Sequence, residues 1–189
     1  MDSQAHPQSQ YTPGELPLVI LFRHNMWANL RLIDACAALD AGQLETSAVG
    51  VYGSIYATLR HIVGAEQGYL ILFTGQPPEL RLRREDTPEL AVIREQARQT
   101  GERLIAYAAG VAPGEVAYGD DDEDPNVVWP IPAGFLLNQV VNHATEHRAQ
   151  VMVLLTQLGI EPPDLSGWTF MDETITVTPV SRPKPADPK

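Results

Sequence analysis

The feature that most constrains the fold of this chain is a helical pattern near residue 145 that carries two histidines, His143 and His147, four positions apart. In an α-helix, residues four apart differ by only about 40° around the axis, so both imidazoles lie on one face, one turn above each other. The same side of the helix is otherwise apolar, which predicts an amphipathic helix whose inner stripe includes the pair. The apolar members of that stripe are Leu136, Val140, Val151, Leu154 and Leu158.

Histidines on an inward helix face need partners for their ring nitrogens, because an unpaired polar group in a protein core is costly. A divalent cation would satisfy both rings together. Hydrogen bonds at a seam between helices would satisfy them separately. The spacing of His143 and His147 leaves both interpretations open.

A third histidine, His61, belongs to a second helical pattern that runs from about Ser54 to Phe73. It does not lie in the large apolar stripe of that helix. Its neighbours at helical spacing are small, and they would let another helix approach or leave an opening; they are Ala57, Gly64, Ala65 and Gly68. An exposed surface histidine is the ordinary alternative. The small neighbours and the histidine pair on another helix favour a shared site instead.

Three segments carry a resemblance to a known family: LRHIVGAEQGYL, NHATEHRAQVMVLLTQLG and HNMWANLRLIDA. Together they resemble the DinB/YfiT-like family of metal-dependent enzymes, over roughly Pro17 to Pro163. The resemblance implies an all-α fold, an up-down four-helix bundle, in which one histidine of the second helix and a His-x-x-x-His pair of the last helix bind a divalent metal. Matched residue by residue, the metal ligands would be His61, His143 and His147.

The rest of the chain is consistent with one helical domain at 16–178, between a leader (1–15) and a tail (179–189) that we expect to be disordered. The first helix is predicted from about Leu16 to Leu39. The third is predicted to end near Ala109 and to begin at Thr87-Pro88-Glu89, where Thr87 would cap it and Pro88 would occupy its first turn.

The segment between the third and last helices is rich in proline and glycine, and it predicts a long loop or small hairpin. Short strands are expected around 115–118 and 127–129, joined by an acidic run at 119–125. That run lacks the spacing of an EF-hand loop, which favours a solvated turn over a calcium site. Residues 168–177 are expected to return as a strand or as a packed extension.

Charge and composition exclude some classes of function. Thirteen basic residues against 24 acidic ones give a formal charge of −11 and no basic patch, so nucleic-acid binding is disfavoured. No apolar stretch approaches the roughly 18 residues that span a bilayer, and the first residues do not resemble a signal peptide. We therefore expect a cytoplasmic protein without membrane association. The single cysteine, Cys36, cannot form an internal disulfide and is expected to be a small buried residue rather than a nucleophile.

Several polar residues near the histidines keep two interpretations each. Glu66 falls within an apolar stripe, where an unpaired carboxylate is costly. It would either form an ion pair or act near the metal as a base; the arginines available to it are Arg148, Arg23 and Arg31. Asn142 and Gln150 flank the pair and would orient ligands, bind substrate or simply provide helix polarity. Glu146 points about 100° away from His147, towards solvent. His24 is expected to support the site or the surface rather than bind metal.

Three neutral imidazoles suit zinc or nickel, with iron, cobalt and manganese as alternatives, and they leave coordination positions free. A metal held this way lowers the pKa of a bound water or binds a thiol as thiolate. Family relatives include hydrolase-like proteins and transferases that use a low-molecular-weight thiol, so we expect a metal-dependent enzyme with a small-molecule substrate. The alternatives are a stress-related metal-binding protein without turnover and an interaction module with a vestigial site. The small-residue helix faces also suggest a homodimer.

Overall fold

The computed structural model describes residues 15–121 and 123–175 of the 189-residue chain. Within these ranges the protein is mostly helical, with six helices and one antiparallel two-stranded sheet. The elements in chain order are α1 (Pro17–Cys36), α2 (Ala41–Leu44), α3 (Ile55–Thr74), α4 (Leu90–Gly110), β1 (Val116–Asp120), β2 (Val128–Pro132), α5 (Ala133–Gln157) and α6 (Gly167–Thr174).

The predicted leader and tail lie almost entirely outside the described residues. Glu15, the last residue of the predicted leader, is described, and its carboxylate accepts hydrogen bonds from Arg23 Nη1 at 2.7 and 2.9 Å. The predicted domain continues to residue 178, whereas the described part of the chain ends at residue 175.

Four long helices form the body of the protein. α4 packs against α1 and α3, and α5 packs against the same two helices. α1 and α3 therefore face each other across the core. The apolar core has one cluster that includes Leu32, Leu59 and Leu154 and a second that includes Phe22, Leu104 and Val140. Burying each such side chain contributes about 1.5–3 kcal/mol, so the core does not depend on a bound ion for its existence.

α3, which carries His61, begins and ends close to its predicted limits. The hydroxyl of Ser54 accepts a hydrogen bond from the amide of Ala57 and caps the first turn. Gly75 ends the helix with a φ of 66°, in the left-handed region that glycine adopts without strain.

The start predicted for the third long helix is wrong. α4 begins at Leu90, and its N-cap is Glu89, which makes no side-chain capping bond. Thr87 and Pro88 precede the helix. The hydroxyl of Tyr56 donates to the carbonyl of Pro88 at 2.6 Å, and this contact holds the residues before α4 against α3 rather than in a helical turn.

The small hairpin expected before the last long helix is present. β1 and β2 pair from Val116 with Pro132 to Asp120 with Val128. In the acidic turn, the carboxylate of Asp121 accepts hydrogen bonds from the amides of Glu123 and Asp124. Backbone amides of the turn are therefore the hydrogen-bond donors to Oδ1 of Asp121, an arrangement that fits a solvated turn.

After α5 the chain returns as helix α6, not as a strand. The hydroxyl of Ser166 caps α6, and Phe170 packs against His24 and Trp27 of α1. The packed extension is thus confirmed for residues 168–175. Residues 176 and 177, which the prediction also included, lie outside the described residues.

Cys36 is buried, and burial raises the pKa of its thiol to about 12. None of the helices in the described ranges combines the length and apolarity that a membrane crossing needs.

Candidate metal centre

The three predicted histidines come together between α3 and α5. His61 projects from α3, and His143 and His147 project from α5, which packs directly against α3. The ring centroids are 4.8 Å apart for His61 and each of the other two, and 4.4 Å apart for His143 and His147. One nitrogen of each ring lies within 4.8 Å of the others, so this group could hold a metal ion. All three side chains are half-buried.

A hydrogen bond to Gln150 fixes the orientation of the His147 ring. Its Nδ1 lies 2.9 Å from Oε1 of Gln150, and the same oxygen accepts a hydrogen bond from the amide of Tyr52 at 3.1 Å. Because an amide oxygen only accepts hydrogen bonds, Nδ1 of His147 is the donor, which leaves Nε2 on the side of the ring that faces the other two histidines. Gln150 therefore orients one ring and also anchors the loop that carries Tyr52.

Among the described residues, His143 has too few hydrogen-bond partners for its two ring nitrogens. Its Nε2 lies 3.0 Å from Nε2 of His61, while its Nδ1 is buried without a hydrogen-bond partner. Two imidazole nitrogens at this distance need a proton or a cation between them, since two lone pairs facing each other repel. A metal ion would accept both lone pairs, and the set of three imidazoles fits zinc, nickel, iron or cobalt.

The surroundings of His61 and His143 favour their neutral form, the state in which imidazole binds metal. Burial lowers the pKa of His61 to about 4, with further contributions from His143, His147, Arg60 and Arg84. Burial also lowers the pKa of His143, aided by His147 and opposed by the carboxylate of Glu146. A neutral imidazole loses no proton when it coordinates, so these shifts favour a cation over a proton near neutral pH.

The histidine centre adjoins a pocket of about 220 Å³, and His61 forms part of its wall. The other lining residues are Tyr52, Arg60, Gly64, Ala65, Leu82, Arg83 and Arg84. The Tyr52 ring stacks on His61, with centroids 4.0 Å apart and planes 12° apart, and presents its edge to His147 at 5.1 Å. A Cβ at Gly64 would lie 2.9 Å from the carbonyl oxygen of Leu82. The small residue therefore admits the segment that follows α3, rather than another helix.

Comparison with known proteins places the chain in a family. The model of the DinB family matches residues 14–182. The chain belongs to the DinB family. It is 23% identical over 164 residues to Protein DinB of Bacillus subtilis (strain 168), which covers 82% of this chain and 94% of that relative. It is also similar to the crystal structure of a DinB-like protein from Bacillus cereus ATCC 10987, with a TM-score of 0.59 and 18% identity over 78% of this chain and 94% of the other. At that identity, the structural likeness establishes the fold alone.

In this DinB-family chain, the other residues singled out from the sequence differ in whether they contact the histidine centre. Gln150 orients His147, as one of its two interpretations required. Asn142 and Glu146 are exposed, so Glu146 acts on the centre only through its charge. His24 lies apart from the three histidines, since its Nε2 lies 2.9 Å from the carbonyl oxygen of Leu165 and its ring packs beneath α6.

Glu66 is buried, but the direct ion pair expected for it is absent from the described structure. Its Oε1 accepts hydrogen bonds from Nδ2 of Asn25 and Asn29 at 2.7 and 2.8 Å. The carbonyl oxygens of these two amides accept from Nη1 of Arg148, both at 2.7 Å. Two amides therefore stand between carboxylate and guanidinium. The other two candidate arginines pair elsewhere, Arg23 with Glu15 and Arg31 with Glu173.

Glu66 lines neither the pocket nor the histidine centre, and its contacts therefore support a structural role rather than that of a base. Burial raises the pKa of its carboxyl, opposed by the bonds from the two asparagines and by the charge of Arg148. Burial also lowers the pKa of Arg148, to about 10, opposed by the charge of Glu66.

Sequence reasoning missed the residues that surround the histidines. Tyr52 belongs to an irregular loop and carries no periodic signal. Arg83 and Arg84 were visible only as a charged link after α3. The available signal was a cluster of arginines, in a strongly acidic chain, within the link that follows the helix of His61.

Proposed function

We propose that this DinB-family protein is a metal-dependent enzyme in which His61, His143 and His147 hold one divalent transition metal. Zinc and nickel are the metals we favour, with iron, cobalt and manganese as alternatives. The observation that carries the proposal is the meeting of three imidazoles, supplied by two helices, beside a pocket. Three protein ligands and an adjoining cavity are the arrangement of a catalytic rather than a structural metal site.

The reaction we favour is transfer of a group to the sulfur of a low-molecular-weight thiol. A divalent metal at the centre supplies a low pKa for a bound thiol or water. The described residues that line the pocket include no carboxylate and no histidine besides His61, and these are the side chains that most often act as general base. That favours a thiol as the nucleophile, because a free thiol, with a pKa of about 8.5, loses its proton far more readily than free water, with a pKa of about 15.7. Arginine charge beside the centre favours a thiolate further.

The side chains around the centre have distinct tasks in this proposal. Gln150 fixes the ring of His147, and Tyr52 covers the exposed face of His61. The pocket receives the substrate on the side of α3 that carries Gly64 and Ala65. Hydrolysis by a metal-bound water is the second reaction class, and storage of the metal without turnover is the non-enzymatic alternative.

A cobalt-substituted sample titrated with a small thiol separates these alternatives. We expect new sulfur-to-cobalt charge-transfer absorption that strengthens as the pH rises, because the thiol must lose its proton to coordinate. The matched control is His61→Ala, which should lose the signal with the metal. A spectrum unchanged by thiols but altered by azide or acetate would favour the hydrolase. A spectrum unchanged by all small anions would mean a closed site and would exclude catalysis.

We further propose that the four long helices alternate in direction, as in an up-down bundle, and that the protein works as a cytoplasmic homodimer with no nucleic-acid partner. Large apolar side chains exposed on and beside the hairpin, such as Tyr118, Trp129 and Phe135, support self-association. Light scattering at micromolar concentration tests this, and a monomeric mass would remove the dimer from the proposal.

A further inference from the structure

The pocket beside the histidine centre is strongly cationic in an otherwise acidic protein. Three of its lining residues are arginines, Arg60, Arg83 and Arg84, whereas the formal charge of the whole chain is −11. Arg60 extends from α3, one residue before His61, and the other two belong to the segment that packs across Gly64. Charge of one sign lining a cleft attracts small molecules of the opposite sign.

These arginines differ from most of those on the helices in their lack of acidic partners. Arg31, Arg94 and Arg98 each form an ion pair with a carboxylate. Among the described residues, no carboxylate lies within ion-pair distance of the guanidinium of Arg60, Arg83 or Arg84. Arg60 donates to the carbonyl oxygen of Asp86 and lies over the ring of Tyr56.

Of the two acidic residues that follow Arg84, Glu85 is exposed and Asp86 is turned towards the backbone. Its Oδ2 accepts a hydrogen bond from the amide of Arg83 at 2.7 Å. The carboxylate thus fixes the turn that places Arg83 and Arg84 at the pocket and does not fill the pocket itself. The guanidinium groups keep donors for a ligand.

We infer that the small molecule that reaches the histidine centre carries a carboxylate, and that Arg83 and Arg84, with Arg60, bind this group while its sulfur meets the metal. This inference rests on the proposed function and names the chemical class of its thiol. The guanidinium fork matches the two oxygens of a carboxylate. At about 220 Å³ the pocket is smaller than the roughly 300–1,000 Å³ of sites for drug-sized ligands, which limits the molecule to a small one.

The test compares two thiols that differ only in charge, 3-mercaptopropionate and 3-mercaptopropionamide, titrated into the cobalt-loaded protein. We expect the carboxylate to bind about tenfold more tightly, as for a charge-assisted hydrogen bond, and the preference to weaken in high salt. In the double variant Arg83→Gln/Arg84→Gln the preference should fall to about twofold or less, whereas lysine at both positions should retain most of it.

Arg81→Gln is the matched control, because Arg81 is exposed in the same segment but does not line the pocket. It should keep the full preference. Equal affinity for the two thiols in the unsubstituted protein would overturn the inference, as would a preference that survives in the double glutamine variant. In both cases the cobalt and thiol signals remain, so the proposed function would stand.

Two other results of this experiment would also decide whether the proposals hold. If neither thiol changes the cobalt spectrum, the thiol chemistry fails. Succinate is then compared with its monoamide. In both molecules one carboxylate takes the place of sulfur at the metal, and only succinate has a second carboxylate for the arginines. No preference in that pair would overturn the inference as well, and a preference that depends on Arg83 and Arg84 would support it. A protein that binds no cobalt would overturn both proposals.

Discussion

Two polar clusters occupy the same pair of helices, α3 and α5, and they are built in opposite ways. The buried network consists of Glu66 and Arg148, bridged by Asn25 and Asn29 of α1, and its charges and amides are bonded to one another. The histidine cluster (His61, His143 and His147) is half-buried. Nδ1 of His147 is bonded to Gln150, but Nε2 of His61 and Nε2 of His143 face each other, and Nδ1 of His143 has no hydrogen-bond partner among the described residues.

The buried network stabilises the packing of the helices, whereas the histidine cluster offers nitrogen atoms that a ligand could bind. Arg148 follows His147 directly, and Glu66 lies five residues after His61, so the buried network fixes the relative position of the two helices that supply the histidines. Buried polar groups that are almost fully paired specify one arrangement of helices. Convergent nitrogens beside a pocket, by contrast, gain their partners only when something binds.

The largest effect on stability is expected from Arg148→Met. The change leaves Glu66 without its countercharge and two buried amide oxygens without a donor, so the free energy of unfolding of the metal-free protein should fall by about 3 kcal/mol. Urea denaturation measures it. Arg98→Met is the control, because Arg98 makes only exposed ion pairs and should change little. A variant as stable as the parent would remove the distinction between the two clusters.

A smaller effect, mainly on the metal, is expected from Gln150→Leu. His147 loses the acceptor that orients its ring, and the amide of Tyr52 loses the same acceptor, so metal affinity should drop about 10- to 100-fold, while the buried network and the apolar core of the metal-free protein remain intact. Competition with a chromophoric chelator measures the affinity. Gln157→Leu, at an exposed position at the end of the same helix, should leave it unchanged. Equal affinities for both variants would show that the Gln150 contact does not support the centre.

The smallest expected effect is a pH dependence of the metal-free protein. The pKa of His61 is lowered from 6.5 to about 4, so between these values the unfolded chain binds more protons than the folded one. The contribution of His61 is therefore fully present above pH 6.5 and is lost as the pH falls towards 4. His61→Gln should lose less stability between pH 7 and pH 5 than the parent, by denaturant titration. Parallel losses would argue against a neutral, half-buried His61.

The sequence was sufficient to predict the histidine cluster because all three histidines lie on regular helices, where helical spacing and the motifs of the family can both be recognised. It also predicted the hairpin, since turn residues and strand patterns are local. The partners of Glu66 could not be derived in the same way: a carboxylate in an apolar stripe predicts a compensating group, but the bridging amides come from another helix. Tyr52 and Arg84 reach the centre from irregular segments, whose path depends on contacts such as Gly64 with Leu82.

The central claim, that three histidines hold one metal, is tested most directly by the metal content of the purified protein and its alanine variants. One metal per chain is expected in the unsubstituted protein and in His24→Ala, because His24 lies beneath α6 and apart from the cluster. His61→Ala, His143→Ala and His147→Ala should each lose most of the metal while remaining folded. Stoichiometric metal with unchanged affinity in His61→Ala would contradict the claim.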